Sequence, residues 1–211
     1  MPRHKLGSVL ILTSTDIHSV CSVYCYRYIR ARLNFMYPFI RLLTTSTRAA
    51  LTKSIEFDAV CETTFRCMPW DIDMFLEMNN GRILTLYDLG RFDLSIQTGL
   101  AKVLKKKRWG LVVAGGSVRY RRRVKMFDKV TMRTQAVGFD DRWIYVAQSM
   151  WVNGQPSSSI LLRTGITAIG KTIPPDEVLE AMDITGWKPE PSSWVKSWIS
   201  SEEHRPWPPS P

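Results

Sequence analysis

Pro69-Trp70-Asp71-Ile72-Asp73-Met74-Phe75-Leu76-Glu77-Met78-Asn79-Asn80-Gly81-Arg82 is the stretch on which the reading of this chain turns. It sets three carboxylates and two side-chain amides in a short irregular segment. Directly after it Ile83, Leu84, Leu86, Tyr87, Leu89 and Leu94 recur at three- and four-residue steps, the period of a helix. Asn79 and Asn80 are both residue types that cap a helix N-terminus. A helix start presents unpaired backbone N–H groups and the positive end of the macrodipole, so acids placed just upstream face a spot where an oxyanion can develop. The same residues also make an ordinary turn and cap. Residue type alone leaves both readings open.

Working outward, residues 60–68 have strand composition and Pro69 breaks them. The helical period predicts a helix over about 80–98, stopped at Gly99. Strand-like runs follow at 111–124, 129–137, 143–152 and 158–169, separated by hairpin signals at Met126-Phe127-Asp128, Phe139-Asp140-Asp141 and Asn153-Gly154. One strand, a long helix and then four strands is an α+β order. In the first long strand Ser117, Arg119, Arg121 and Arg123 alternate with Val118, Tyr120 and Val124, Arg122 being the exception, so one face is wet or meets a ligand. Gly115-Gly116 within it marks either a bulge or a close approach of backbone to a ligand.

The flanks read differently. Residues 1–35 are basic and rich in Ser, Thr and Cys, with an apolar run at 9–12 too short to span a bilayer; they are an extension, disordered or lying upstream of a natural start at Met36. Residues 36–56 hold a short amphipathic helix, with Phe39, Ile40, Leu42 and Leu43, lying on the domain or on a membrane surface. The main domain is expected over 57–170. Residues 171–211 form a Trp- and Pro-rich tail with a short helical stretch at 176–182 and no core of its own; Trp187, Trp194, Trp198 and Trp207 are expected to dock on the domain or on a partner subunit.

Composition narrows the chemistry. At 211 residues and 45% hydrophobic content the chain holds one well-buried domain plus extensions. Cys21, Cys25, Cys61 and Cys67 include no C-x-x-C and no zinc spacing, and read as reduced cytosolic thiols. His4, His18 and His204 all lie near the ends, which leaves the body without a Ser-His-Asp or Cys-His mechanism or a His-ligated metal. Carboxylate chemistry is what remains. The formal charge of +10 gathers at Lys105 to Arg108 and at Arg119 to Arg123. Such runs are solvated loops or phosphate contacts. With only Trp109 and Tyr120 interleaved as stacking aromatics, they do not read as a nucleic-acid surface.

The order Asp71-x-Asp73, a loop ending Asn79-Asn80-Gly81-Arg82, then a helix carrying Tyr87, Asp88 and Arg91 resembles the opening motif of hot-dog-fold acyl-CoA thioesterases of the hydroxybenzoyl-CoA thioesterase type, with Glu77 where a His often stands. The resemblance implies an antiparallel sheet wrapped around a long central helix, and hydrolysis of an acyl-CoA or acyl-carrier thioester without metal or cofactor. It implies Asp73 as nucleophile or general base, and the Asn80 backbone N–H aimed at the thioester oxygen. Glu77 either shares the base role or pairs with Arg82. Asp71 and Asn79 are expected to bind substrate, with loop organisation by Asp71 and helix capping by Asn79 as the alternatives. In a homodimer or dimer of dimers, Gly115, Gly116 and Ser117 of a partner subunit would come near the thioester. Arg119 and Arg121 would meet coenzyme A, in a cytoplasmic setting. The rival readings are an acyl-CoA-binding protein without turnover and a basic interaction module.

Overall fold

The computed structural model describes residues 38–206, 208 and 209. The expectations for residues 1–35 and Met36, for Cys21, Cys25, His4 and His18, and for Trp207 lie outside the described residues. In chain order the elements are α1 (Phe39–Leu51), β1 (Cys61–Arg66), a single 3-10 turn (Pro69–Asp71), α2 (Asn80–Gln97), α3 (Leu100–Lys107), β2 (Gly110–Tyr120), β3 (Lys129–Phe139), β4 (Ile144–Val152), β5 (Gln155–Ala168), β6 (Lys171–Ile173), α4 (Pro175–Ala181) and α5 (Ser193–Glu203).

The strands form one antiparallel sheet in the order β1-β3-β4-β5-β2, with β6 added on β5. Both long hairpins are set by their turn residues. Asp140 Oδ1 accepts the Arg142 and Trp143 N–H groups at 2.8 and 2.7 Å between β3 and β4. Asn153 and Gly154, at φ 50° and 74°, make the tight turn between β4 and β5. On β3 the alternate residues Val130, Met132, Thr134 and Ala136 are buried, which is the period-two signature of a strand with one covered face. That face wraps α2, the central helix of a hot-dog fold, as expected from the sequence. Closest approach is at Gly90, where a Cβ would lie 2.5 Å from Thr134 Oγ1 and 2.7 Å from Met132 Cε. Beside it Gln148 Nε2 donates to the Tyr87 carbonyl and to Thr134 Oγ1, and Arg91 donates to Gln148 Oε1. Tyr87 is fully buried with its hydroxyl on Ser158 Oγ at 2.9 Å, and Asp88 pairs with Arg91 one turn on.

Three sequence expectations are corrected. Lys105 to Lys107 are the last turn of α3 rather than a loop, because Leu100, Val103 and Leu104 give a short amphipathic helix that Arg108 ends in the left-handed region. The strand expected to reach residue 124 stops at Tyr120: the N–H groups of Arg121 and Arg122 both donate to the Ser157 carbonyl, which breaks the alternation. The tail does supply core. Val178, Leu179 and Val195 are buried. Trp187 stacks on Phe139 and meets Phe57 edge-on, while Trp198 meets Tyr145 edge-on. Tyr145 and Leu161, on the outer sheet face, are covered by α5.

The short helix expected within 36–56 lies on the domain, its inward side carrying Leu42 and Ala49 together with two charges. Arg41 and Arg48, seven residues apart and so on one face, reach the carboxylates of Asp71 (2.7 Å) and Asp93 (2.5 Å), both with fully buried side chains. Asp93 is further held by Thr63 and Gln97. The outward side carries Ile40, Leu43 and Leu51.

Candidate active site

The loop between β1 and α2 is built around Asp71. Its carboxylate accepts the Met68 N–H at 2.8 Å and the Arg41 guanidinium, and Arg82 Nε stands 3.3 Å from its other oxygen, close enough for charge attraction but not aligned as a hydrogen bond. The Asp71 carbonyl takes the Asn79 N–H at 2.9 Å, so the same residue ties both ends of the loop. The Asp71 side chain has no exposed surface, and its contacts are those that hold the loop together.

Within that frame, residues 73–77 close on themselves. The Asp73 N–H donates to the Glu77 carbonyl at 2.9 Å, Asp73 Oδ1 accepts the Phe75 N–H at 2.8 Å, and Leu76 adopts φ 60°. Met78 then bonds to the Val124 carbonyl, fixing the loop against the segment that follows β2. Asn79 is the N-cap of α2: its Oδ1 accepts the N–H groups of Gly81 (2.9 Å) and Arg82 (3.3 Å). The N–H of Asn80, the first helical residue, has no hydrogen-bond partner among the described residues. It sits at the positive end of an 18-residue helix.

A cleft of about 240 Å³ opens there, lined by Glu77, Met78, Asn80, Ile83 and Tyr120 to Val124. Of the sequence-derived site residues it gathers Glu77, Asn80 and Arg121. Glu77 pairs with Arg123 Nε at 2.9 Å rather than with Arg82, which is engaged by Asp71. Asp73 stands half-buried at the base of its loop, outside the lining of this cleft. Ser117 and Arg119 line a different pocket of about 330 Å³ on the outer face of the sheet, with Ser159, Leu161, Trp194 and Trp198. Gly116 has a packing reason within the protomer, since a Cβ there would lie 2.8 Å from Leu162 Cδ2, whereas Gly115 follows a register shift after Val113 and a Cβ there would meet nothing nearer than 3.7 Å.

The sequence did not point to Tyr120 and Ile83 as cleft residues or to Arg41 as the partner of Asp71. Arg123 was legible as part of a basic run that meets solvent or phosphate, and Tyr120 was assigned to the opposite face by carrying strand alternation past the end of β2. Arg41 lies so far upstream that no local pattern links it to the loop. Cys61 and Cys67 are unpaired and buried, and burial, aided by the carboxylates of Asp93 and Asp71 respectively, pushes each thiol up to about 12. Neither is a nucleophile at neutral pH.

The chain is 31% identical to Protein THEM6 of Drosophila melanogaster over 140 residues, covering 65% of this chain and 70% of that protein. Among solved structures, the YbaW probable thioesterase of Escherichia coli superposes with a TM-score of 0.54 at 18% identity, over 58% of this chain and 96% of that one. A Staphylococcus aureus protein solved in complex with CoA superposes equally well, at 0.54 and 11% identity, over 63% and 85%. These likenesses carry the fold. A model of the thioesterase-like superfamily matches residues 67–198, from the end of β1 through the acidic loop and α2 to α5, and the chain belongs to that superfamily.

Proposed function

We propose that this protein hydrolyses an acyl-CoA or related thioester in the cleft at the start of α2. The observation that carries the reading is the start of α2 at Asn80, whose N–H has no partner among the described residues and which lines the same cleft as Glu77. The thioester carbonyl oxygen would accept from that N–H, which stabilises the negative charge as the tetrahedral centre forms. A carboxylate takes the proton of the attacking water, the carbon–sulfur bond breaks, and the thiol leaves with a proton. Asp73 takes the base or nucleophile role by its motif position, and Glu77 by its place in the cleft. Arg121 to Arg123 line the same cleft and suit the phosphates of coenzyme A, in keeping with the CoA found on the S. aureus structure.

The working unit would be a homodimer. β2 is an 11-residue edge strand with Leu111, Val112 and Val113 exposed, the kind of edge that a second copy extends. No helix among the described residues is long and apolar enough to cross a membrane, and the reduced thiols of Cys61 and Cys67 fit a cytoplasmic setting. A panel of acyl-CoA esters with free-thiol release as the readout tests the activity. The Glu77–Arg123 pair favours one other reading, retention of acyl-CoA without turnover, and stoichiometric binding with no thiol release would select it.

A further inference from the structure

Hydrogen bonds of the backbone bring two segments to one end of the molecule: Cys67 exchanges bonds with Phe127 and Asp128, and Met78 bonds to Val124. That end carries six large apolar side chains in water. Met74, Phe75 and Leu76 are 85, 68 and 71% exposed, and Trp70, Met126 and Phe127 between 40 and 56%. The tight 73–77 loop holds the first three outward, with Leu76 in the left-handed region, so their exposure is a fixed feature of a hydrogen-bonded loop. Around them stand Arg66, Arg121 to Arg123, Lys125 and Lys129, every one exposed. The acids of the same segments, Asp71, Asp73, Glu77 and Asp128, are all buried or half-buried.

We propose that this end of the molecule seats on an anionic lipid surface. Met74, Phe75 and Leu76 would enter the boundary between headgroups and acyl chains, and Arg66, Lys125 and Lys129, which lie outside the cleft lining, would meet the phosphates and carboxylates of the headgroups. A second copy of the same face would set like charges against each other, which argues against self-association here. Outward apolar residues at the N-terminal half of α1, Ile40 and Leu43, extend the surface, since Arg41 of that helix bonds to Arg66 and Asp71. The cleft of Glu77 and Asn80 opens at the same end. Should the cleft hold a thioester, its class would be one whose acyl chain partitions into a bilayer; the lipid contact itself does not depend on turnover.

The test is co-sedimentation of the full chain with phosphatidylcholine vesicles with and without phosphatidylserine. We expect retention on the phosphatidylserine vesicles alone, falling as salt rises, and weakened on the order of tenfold or more in the triple variant Met74→Ser/Phe75→Ser/Leu76→Ser. Phe127→Ser, on the neighbouring hairpin, gives an independent arm with a several-fold loss should the triple variant melt early. No retention by the unmodified chain overturns the proposal. So does full retention by folded variants, and so does a triple variant that changes oligomeric state on size exclusion while still binding vesicles, because a second copy would then be the occupant.

Discussion

Asp73 and Glu77 belong to one closed loop, yet only Glu77 lines the cleft, and this separates their expected phenotypes. Asp73→Asn is expected to lower kcat on the order of a hundredfold with an unchanged circular dichroism spectrum. Glu77→Gln is expected to lower kcat on the order of tenfold, because it removes a carboxylate from the cleft that Asn80 also lines and weakens the hold on Arg123; an unchanged kcat would assign Glu77 to structure alone. Arg41 acts at one remove. Arg41→Ala would leave the buried Asp71 carboxylate with Arg82 as its remaining cation, and a loss of about 3 kcal/mol in urea unfolding is expected, with kcat falling because the loop loses its anchor. Arg41→Lys should restore part of the stability but not the bond to the Arg66 carbonyl in the same geometry.

At the scale of elements, α2 and the sheet meet at Gly90. Gly90→Ala would place a methyl within 2.9 Å of Thr134, Met132 and Gln148, and the crowding should outweigh the gain in helix propensity, for a net loss of about 1–3 kcal/mol by thermal or denaturant unfolding. The elements that were legible in the sequence are those whose signals are local. Asn79 and Gly99 bracket α2, and Asp140 and Asn153-Gly154 set the two hairpins. α3 and α5 were not legible. They are short, and their helical period competes with runs of lysine in one and of tryptophan and serine in the other. The end of β2 was missed for a non-local reason: the Ser157 carbonyl that draws in Arg121 and Arg122 lies on another strand. The site divides the same way. The acidic loop and helix start were readable as a unit, whereas the arginines that complete the cleft depend on that strand's end.

Across the whole molecule the basic excess is expected to act on the nucleotide part of the substrate. Neutralising Arg121 and Arg122 should raise KM for acyl-CoA, with less effect on a short thioester lacking the nucleotide, and added salt should raise KM of the unmodified enzyme in parallel. Equal losses on both substrates would return these arginines to folding or solubility. The buried thiols set an alkaline limit. Cys61 and Cys67 stay protonated when folded up to about 12 but ionise from about 9 when unfolded, so the unfolded state sheds protons first and stability falls as pH rises across that window. Each thiol contributes a slope of about 1.4 kcal/mol per pH unit there, and urea midpoints measured along the window should flatten in Cys67→Ala.

The paired arginines of α1 bear on where this domain begins. The superfamily match starts at residue 67, after β1 and well after α1. A fragment cut at that limit would bare the edge of β3 and strand Asp71 and Asp93 in the interior without Arg41 and Arg48. The folded unit is therefore expected to reach upstream of that match as far as α1, the clasp whose removal should show as a lower urea midpoint.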